Sequence, residues 1–189
     1  MSSTATATAT ATAEKGSVAG EVLGETADGT VVARGEQGRK VYTSKDGTVT
    51  VQGPDGETES ERRPDGTLLE NLPKGVVKQT APDGQVNIHF TTTNVRVQIN
   101  GTVKITHMPG CVMQEDSSIG YRAMRFPDGY ELIEMENGTS IDLSPDGESK
   151  VSKSDGTVIE TFADKSKRVT QPDGTIRTVP PPPEDIDIA

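Results

Sequence analysis

Apolar and polar residues alternate strictly along several short runs of this chain, among them Val86-Asn87-Ile88-His89-Phe90, Val95-Arg96-Val97-Gln98-Ile99 and Val103-Lys104-Ile105. A period of two places successive side chains on opposite faces of a β-strand. The runs are punctuated by glycines, mostly nine or ten residues apart, from Gly20 through Gly47, Gly84 and Gly129 to Gly174. Most of these glycines follow Asp or Asn, as in Asp46-Gly47, Asp83-Gly84, Asp128-Gly129, Asn137-Gly138 and Asp155-Gly156, while Thr93 and Lys165 keep the phase without a glycine. Asp-Gly and Asn-Gly are hairpin-turn signals, because glycine takes a positive φ at no steric cost. A turn every nine residues leaves six or seven for a strand. No segment holds a 3.6-residue period before meeting a glycine, so no helix is expected. The spacing predicts an all-β fold: a single extended antiparallel β-meander of nine-residue hairpin repeats over residues 18–179, with no closed core. Residues 1–17, where Thr and Ala alternate, read as a disordered tail. Residues 180–189, opening with Pro180 to Pro183, read as a proline-rich acidic tail that ends the ladder, since proline offers no N–H.

Turn chemistry sets which way the side chains point. In Pro82-Asp83-Gly84 or Pro127-Asp128-Gly129, a two-residue turn would put proline where a ladder N–H is needed. A type I turn with proline second and glycine in a left-handed bulge avoids that loss. Such a three-residue loop leaves strands of even length, and the apolar face then turns over between successive strands. On this reading Val86, Ile88 and Phe90 face one way, and Val95 and Val97 the other. Two-residue turns would put all five on one face.

Composition thins the picture to a single layer. Apolar residues make up 31 %, with no Trp, three Phe and three Tyr. That is too few for a thick two-layer core, which leaves a sheet wet on much of both faces. A net charge of −10 argues against nucleic acid and anionic membrane as partners. Cys111 is the only cysteine, so there is no intrachain disulfide, which fits a reducing, cytoplasmic setting. No run of about 18 apolar residues offers a membrane span, and the N-terminus lacks the basic and apolar segments of a signal peptide.

Little in the chain suggests chemistry. Nine-residue calcium repeats read Gly-Gly-x-Gly-x-Asp, whereas here each unit has one glycine with Asp before it, as a turn requires. His89 and His107 have no Cys or carboxylate cluster at ligand spacing, and Cys111 has no activating His pattern. No nucleophile elbow, Walker loop or dinucleotide fingerprint occurs. The expectation is a non-enzymatic protein with no cofactor and no metal site. The Pro180–Pro183 run reads as a spacer rather than a ligand for proline-binding modules.

Four units carry a resemblance: Phe126-Pro127-Asp128-Gly129, Val86-Asn87-Ile88-His89-Phe90, Met135-Glu136-Asn137-Gly138-Thr139 and Gln171-Pro172-Asp173-Gly174-Thr175-Ile176. They resemble the repeats of the T-complex-protein-ten C-terminal family, or G-box, with serial Phe-Pro-Asp-Gly turns joined by Ile-x-Phe-like strands. The resemblance covers roughly residues 64–179. It implies a free-standing antiparallel sheet that binds a proline-containing partner segment and scaffolds a microtubule-based assembly. The chain departs from the pattern in keeping only Phe90, Phe126 and Phe162, and in standing alone from Met1.

From this the sequence reading is a structural subunit of the cytoskeleton, most naturally the ciliary or flagellar axoneme, bound to larger protein subunits through its sheet. The alternatives are a centriolar module recognising a proline-rich segment and an extracellular repeat protein. The expected partner-binding surface is the large apolar set Val86, Ile88, Phe90, Val95, Val97, Ile99, Val103 and Ile105, with Tyr121, Phe126 and Tyr130, because a lone sheet has no second layer to cover it.

Overall fold

The computed structural model describes residues 20–183. The tail expectations for residues 1–17 and for most of 180–189 lie outside them. Among the described residues there are eighteen strands, antiparallel members of an open sheet. The chain divides into two units, residues 1–65 and 66–189. The first holds β1 (Val22–Glu25), β2 (Val31–Arg34), β3 (Lys40–Thr43), β4 (Val49–Gln52) and β5 (Thr58–Arg62), with a single 3-10 turn at Glu36–Gly38. The second runs β6 (Leu68–Leu72), β7 (Val76–Thr80), β8 (Val86–Phe90), β9 (Val95–Asn100), β10 (Val103–Met108), β11 (Cys111–Asp116) and β12 (Tyr121–Arg125). It continues with β13 (Glu131–Met135), β14 (Ser140–Leu143), β15 (Ser149–Ser152), β16 (Val158–Thr161), β17 (Lys167–Thr170) and β18 (Ile176–Val179).

The Pro-Asp-Gly turn has the expected three-residue form. At Phe126 to Tyr130, the Phe126 N–H donates to the Tyr130 carbonyl (2.9 Å) and the Gly129 N–H to the Phe126 carbonyl (3.0 Å), with Gly129 at φ 88°. The Asp explains itself. The Tyr130 N–H donates to Asp128 Oδ1 at 3.0 Å, and the same bond joins Asp46 to Thr48, Asp83 to Gln85, Asn137 to Thr139, Asp155 to Thr157 and Asp173 to Thr175. A donor at the mouth of each hairpin is thereby satisfied locally. Turns on one rim also touch: a Cβ placed at Gly129 would lie 3.1 Å from Cβ of Pro145, two turns on.

The expectation that the apolar face turns over between β8 and β9 is corrected. Their register sets Val86 opposite Ile99, Ile88 opposite Val97 and Phe90 opposite Val95, and directly opposed residues share a face. The reason lies in the connection. Thr91-Thr92-Thr93-Asn94 contains no Pro-Asp-Gly, spans four residues between the paired Phe90 and Val95, and gives the positive φ (53°) to Asn94. The next three connections, β9–β10, β10–β11 and β11–β12, also hold an even number of residues.

Few side chains are buried, as a single layer requires. Val41, Val97 and Ala123 are the buried apolar residues and Thr67, Thr106 and Thr157 the buried polar ones among those described. Cross-strand charge supplements this thin burial: Lys104 pairs with Glu115 (2.9 Å), and Arg168 grips Glu160 through two bonds of 2.6 and 2.8 Å while lying over the Phe162 ring. Pairs as open to solvent as these contribute little each, because water and salt screen them. The turns and the half-covered apolar rows therefore carry most of the stability.

Two expectations follow. Lys165 occupies a glycine slot at φ 68°; Lys165→Gly should stabilise the protein by about 1 kcal/mol, and Gly129→Ala should destabilise it by at least about as much, both read as shifts in Tm. The second concerns acid. The Thr157 N–H, then its hydroxyl, holds the Asp155 carboxyl below the usual carboxylate range; Thr175 does the same for Asp173, and the Ser166 hydroxyl, then its N–H, for Asp164. A carboxyl depressed on folding stabilises the sheet above its unfolded pKa, and that contribution is lost as pH falls through the folded one. Stability should therefore be flat at neutral pH and fall below the ordinary carboxylate range. Asp155→Asn, which keeps the acceptor as Asn137 does, should weaken that fall in acid-denaturation curves.

Candidate functional site

Register assigns every strand residue of the second unit to one of two faces. Face A is the face of Ile88. Its central row runs Glu70, Lys78, Ile88, Val97, Thr106, Met113, Met124, Leu132, Asp142, Lys150, Glu160 and Arg168, each directly opposite the next. The row is charged at both ends and apolar in the middle, interrupted by the buried Thr106. One row toward the rim lie Val76, Phe90 and Val95, then Met108 opposite Cys111. Continuing the β9–β10 and β11–β12 registers by one residue brings Met108 beside Val95, and Phe126 beside Cys111. Phe126 contacts Tyr130, ring centroids 5.8 Å apart. The Tyr130 hydroxyl donates to Asp142 Oδ1 at 2.9 Å, and this bond raises the phenol's pKa above its ordinary value.

The expected surface is thus split. Val86, Ile88, Phe90, Val95, Val97 and Ile99 form one patch on face A, and Phe126 and Tyr130 extend it along the rim. Val103, Ile105 and Tyr121 stand on face B, because the two-residue link Gly101-Thr102 puts Lys104 opposite Ile99 and so Ile105 on the other side. Tyr121 lies opposite Met135, and these two line a hollow of about 460 Å³ with the exposed Ile119. Sequence reasoning missed Met108, Cys111, Met113, Met124 and Leu132, which join the two parts of the face A patch. The signal was in the loop lengths: counting residues between turns, rather than assuming one turn type, assigns all five. From β12 onward an aliphatic row runs along face B as Ala123, Ile133, Ile141, Val151, Ile159 and Val169.

The described residues contain no group of three or more His, Cys, Asp or Glu side chains placed to hold a metal ion. No helix among them is long and apolar enough to cross a membrane. What the arrangement offers is surface. Unlike a sandwich strand, each strand has no second layer on either face, and on face A a half-covered apolar stretch sits between the charged ends of its row.

These features define an open, single-layer antiparallel repeat sheet. Its fold is that of the TCP10 domain, or G-box. The TCP10 domain of zebrafish (Danio rerio) CPAP, in wild-type form, matches with a TM-score of 0.71 at 22% identity, over 83% of this chain and 93% of that one. A point mutant of the same domain matches with a TM-score of 0.71 at 22% identity, over 83% and 92%. The zebrafish domain in complex with a peptide of zebrafish STIL matches with a TM-score of 0.34 at 23% identity, over 79% and 83%. No family model matches the sequence, and no curated protein matches it.

Proposed function

We propose that this chain is a non-enzymatic scaffold module that binds an extended, proline-containing segment of a larger protein in a centriolar assembly. The observation that carries it is the apolar middle of face A, from Ile88 to Leu132, half-exposed except at the buried Val97 and Thr106 and with no second layer over it. An extended segment crossing the strands could cover that row, with Phe90 and the Phe126–Tyr130 pair as anchors. Preformed extended proline segments dock on aromatic and apolar surfaces at low entropic cost. The resemblance to the G-box family supports the same reading. The charged ends of the same row, Glu70–Lys78 and Asp142 to Arg168, would set register rather than supply affinity.

The test is a pull-down with the tagged chain and identification of what co-purifies. A centriolar partner with a proline-rich segment is expected. Axonemal subunits with tubulin would instead favour the axonemal role, and neither would sink both. Phe90→Ala or Phe126→Ala should each cost more than about 1 kcal/mol in binding to that partner, as anchors do. Thr48→Ala or Thr58→Ala in the first unit should leave binding unchanged. Circular dichroism of each variant separates lost binding from lost fold.

A further inference from the structure

The strands that carry the apolar patch on face A carry something different on face B. There Gln79, Asn87 and Gln98 stand directly opposite one another, and beside them run Val77, His89, Arg96 and His107 in the same register. Two shallow hollows open on this surface. One, of about 250 Å³, is lined by Leu69, Gln79, Asn87, His89, Arg96 and Gln98 among others. The second, of about 480 Å³, is lined by Asn94, Arg96, Gln98, His107 and neighbouring residues, so Arg96 and Gln98 belong to both.

In a chain of net charge −10, neither hollow is lined by a carboxylate. Arg122, Arg125 and Arg168 each pair with a glutamate, but Arg96 has no ion pair among the described residues. The face B carboxylates of the following strands are engaged elsewhere: Asp116 accepts from Ser118, and Glu131 from Arg125. Independently, Asn87 Oδ1 and His89 Nε2 are buried without a hydrogen-bond partner in the protein. A buried polar atom left unpaired is costly and calls for a partner.

We propose that this surface is a second binding site, for an acidic or phosphorylated residue carried on an extended peptide. The groups divide the work. Arg96, flanked by His89 and His107, offers planar and ring N–H donors to a carboxylate or phosphate oxyanion. Asn87 Oδ1, covered in the free protein, is an acceptor that an anion alone cannot satisfy; a turn of the amide on binding would bring it to a peptide N–H next to the acidic side chain. The need for both an oxyanion and a donor N–H selects a peptide over a free anion. The site is on the opposite face from the proposed apolar dock, and neither depends on the other.

The chain's two histidines make the test direct. The imidazole signals of His89 and His107 are followed by nuclear magnetic resonance during titration with three blocked tripeptides: Thr-phosphothreonine-Thr, Thr-Glu-Thr and the neutral Thr-Gln-Thr. Both signals should move saturably with at least one of the first two and not with the third. A response to the phosphorylated peptide alone identifies phosphorylation as the source of the oxyanion, and a response to both identifies acidic sequence in general. Arg96→Gln should weaken binding about tenfold or more, and Arg168→Gln should leave it unchanged. If Arg96→Gln disturbs the sheet, seen in its amide spectrum, Asn87→Val serves instead and should also weaken binding. Absence of a saturable shift at millimolar peptide, an equal response to the neutral peptide, or full affinity in the folded variant overturns the proposal.

Discussion

The structure depends on one local hydrogen bond, made in the three-residue turns that carry Asp or Asn: the N–H of the residue after the turn donates to the carboxylate or amide oxygen two residues before it. Without a core, the sheet has no packing to decide where a strand ends. That decision is made locally at each rim, where Asp or Asn satisfies the donor and glycine takes the left-handed backbone. Lys165 shows that the hydrogen bond outranks the glycine: the turn there keeps Asp164 bonded to the Ser166 N–H at 2.8 Å although the left-handed position holds a lysine.

The second constraint is arithmetic. A loop with an odd number of residues keeps even-numbered positions on one face; an even loop exchanges them. From β12 onward the three-residue loops hold the pattern steady: aliphatic residues line face B, and from β14 alternating charges line face A. Between β8 and β12 four even loops intervene, and it is in this stretch that face A gathers its large apolar groups. The irregular turns therefore create the surface that the regular ones could not: they concentrate apolar side chains on one side and amide and basic ones on the other.

The strand ladder, its antiparallel order and its turn positions were legible, because Asp-Gly punctuation and period-two alternation are local. The three-residue form of Phe126 to Tyr130 was legible too, since proline excludes the alternative. The faces of Val95 and Val97 were not. They follow from the Thr91–Asn94 loop, where no glycine marks the left-handed residue and Asn94 takes that role one position past the expected slot. The expected site was chosen by side-chain size rather than by face, which placed Ile105 and Tyr121 with Phe90 and left out Met113 and Met124. The pairing of Arg96 with His89 and His107 is invisible in sequence, being a relation among three strands.

The odd loop has a consequence for how such a chain can grow or shrink. In the stretch from Gly129 to Gly174, glycine slots recur every nine residues. Excising one whole repeat would leave every turn intact, yet it would move all later turns to the opposite rim and exchange the faces of all later strands. Glu160 and Arg168 would find themselves beside Ile133's row, and its aliphatic partners would face the charges. Excising two repeats restores both rim and face. The heritable module is therefore the pair, and length variation in a sheet of this kind is expected to come in even numbers of strands.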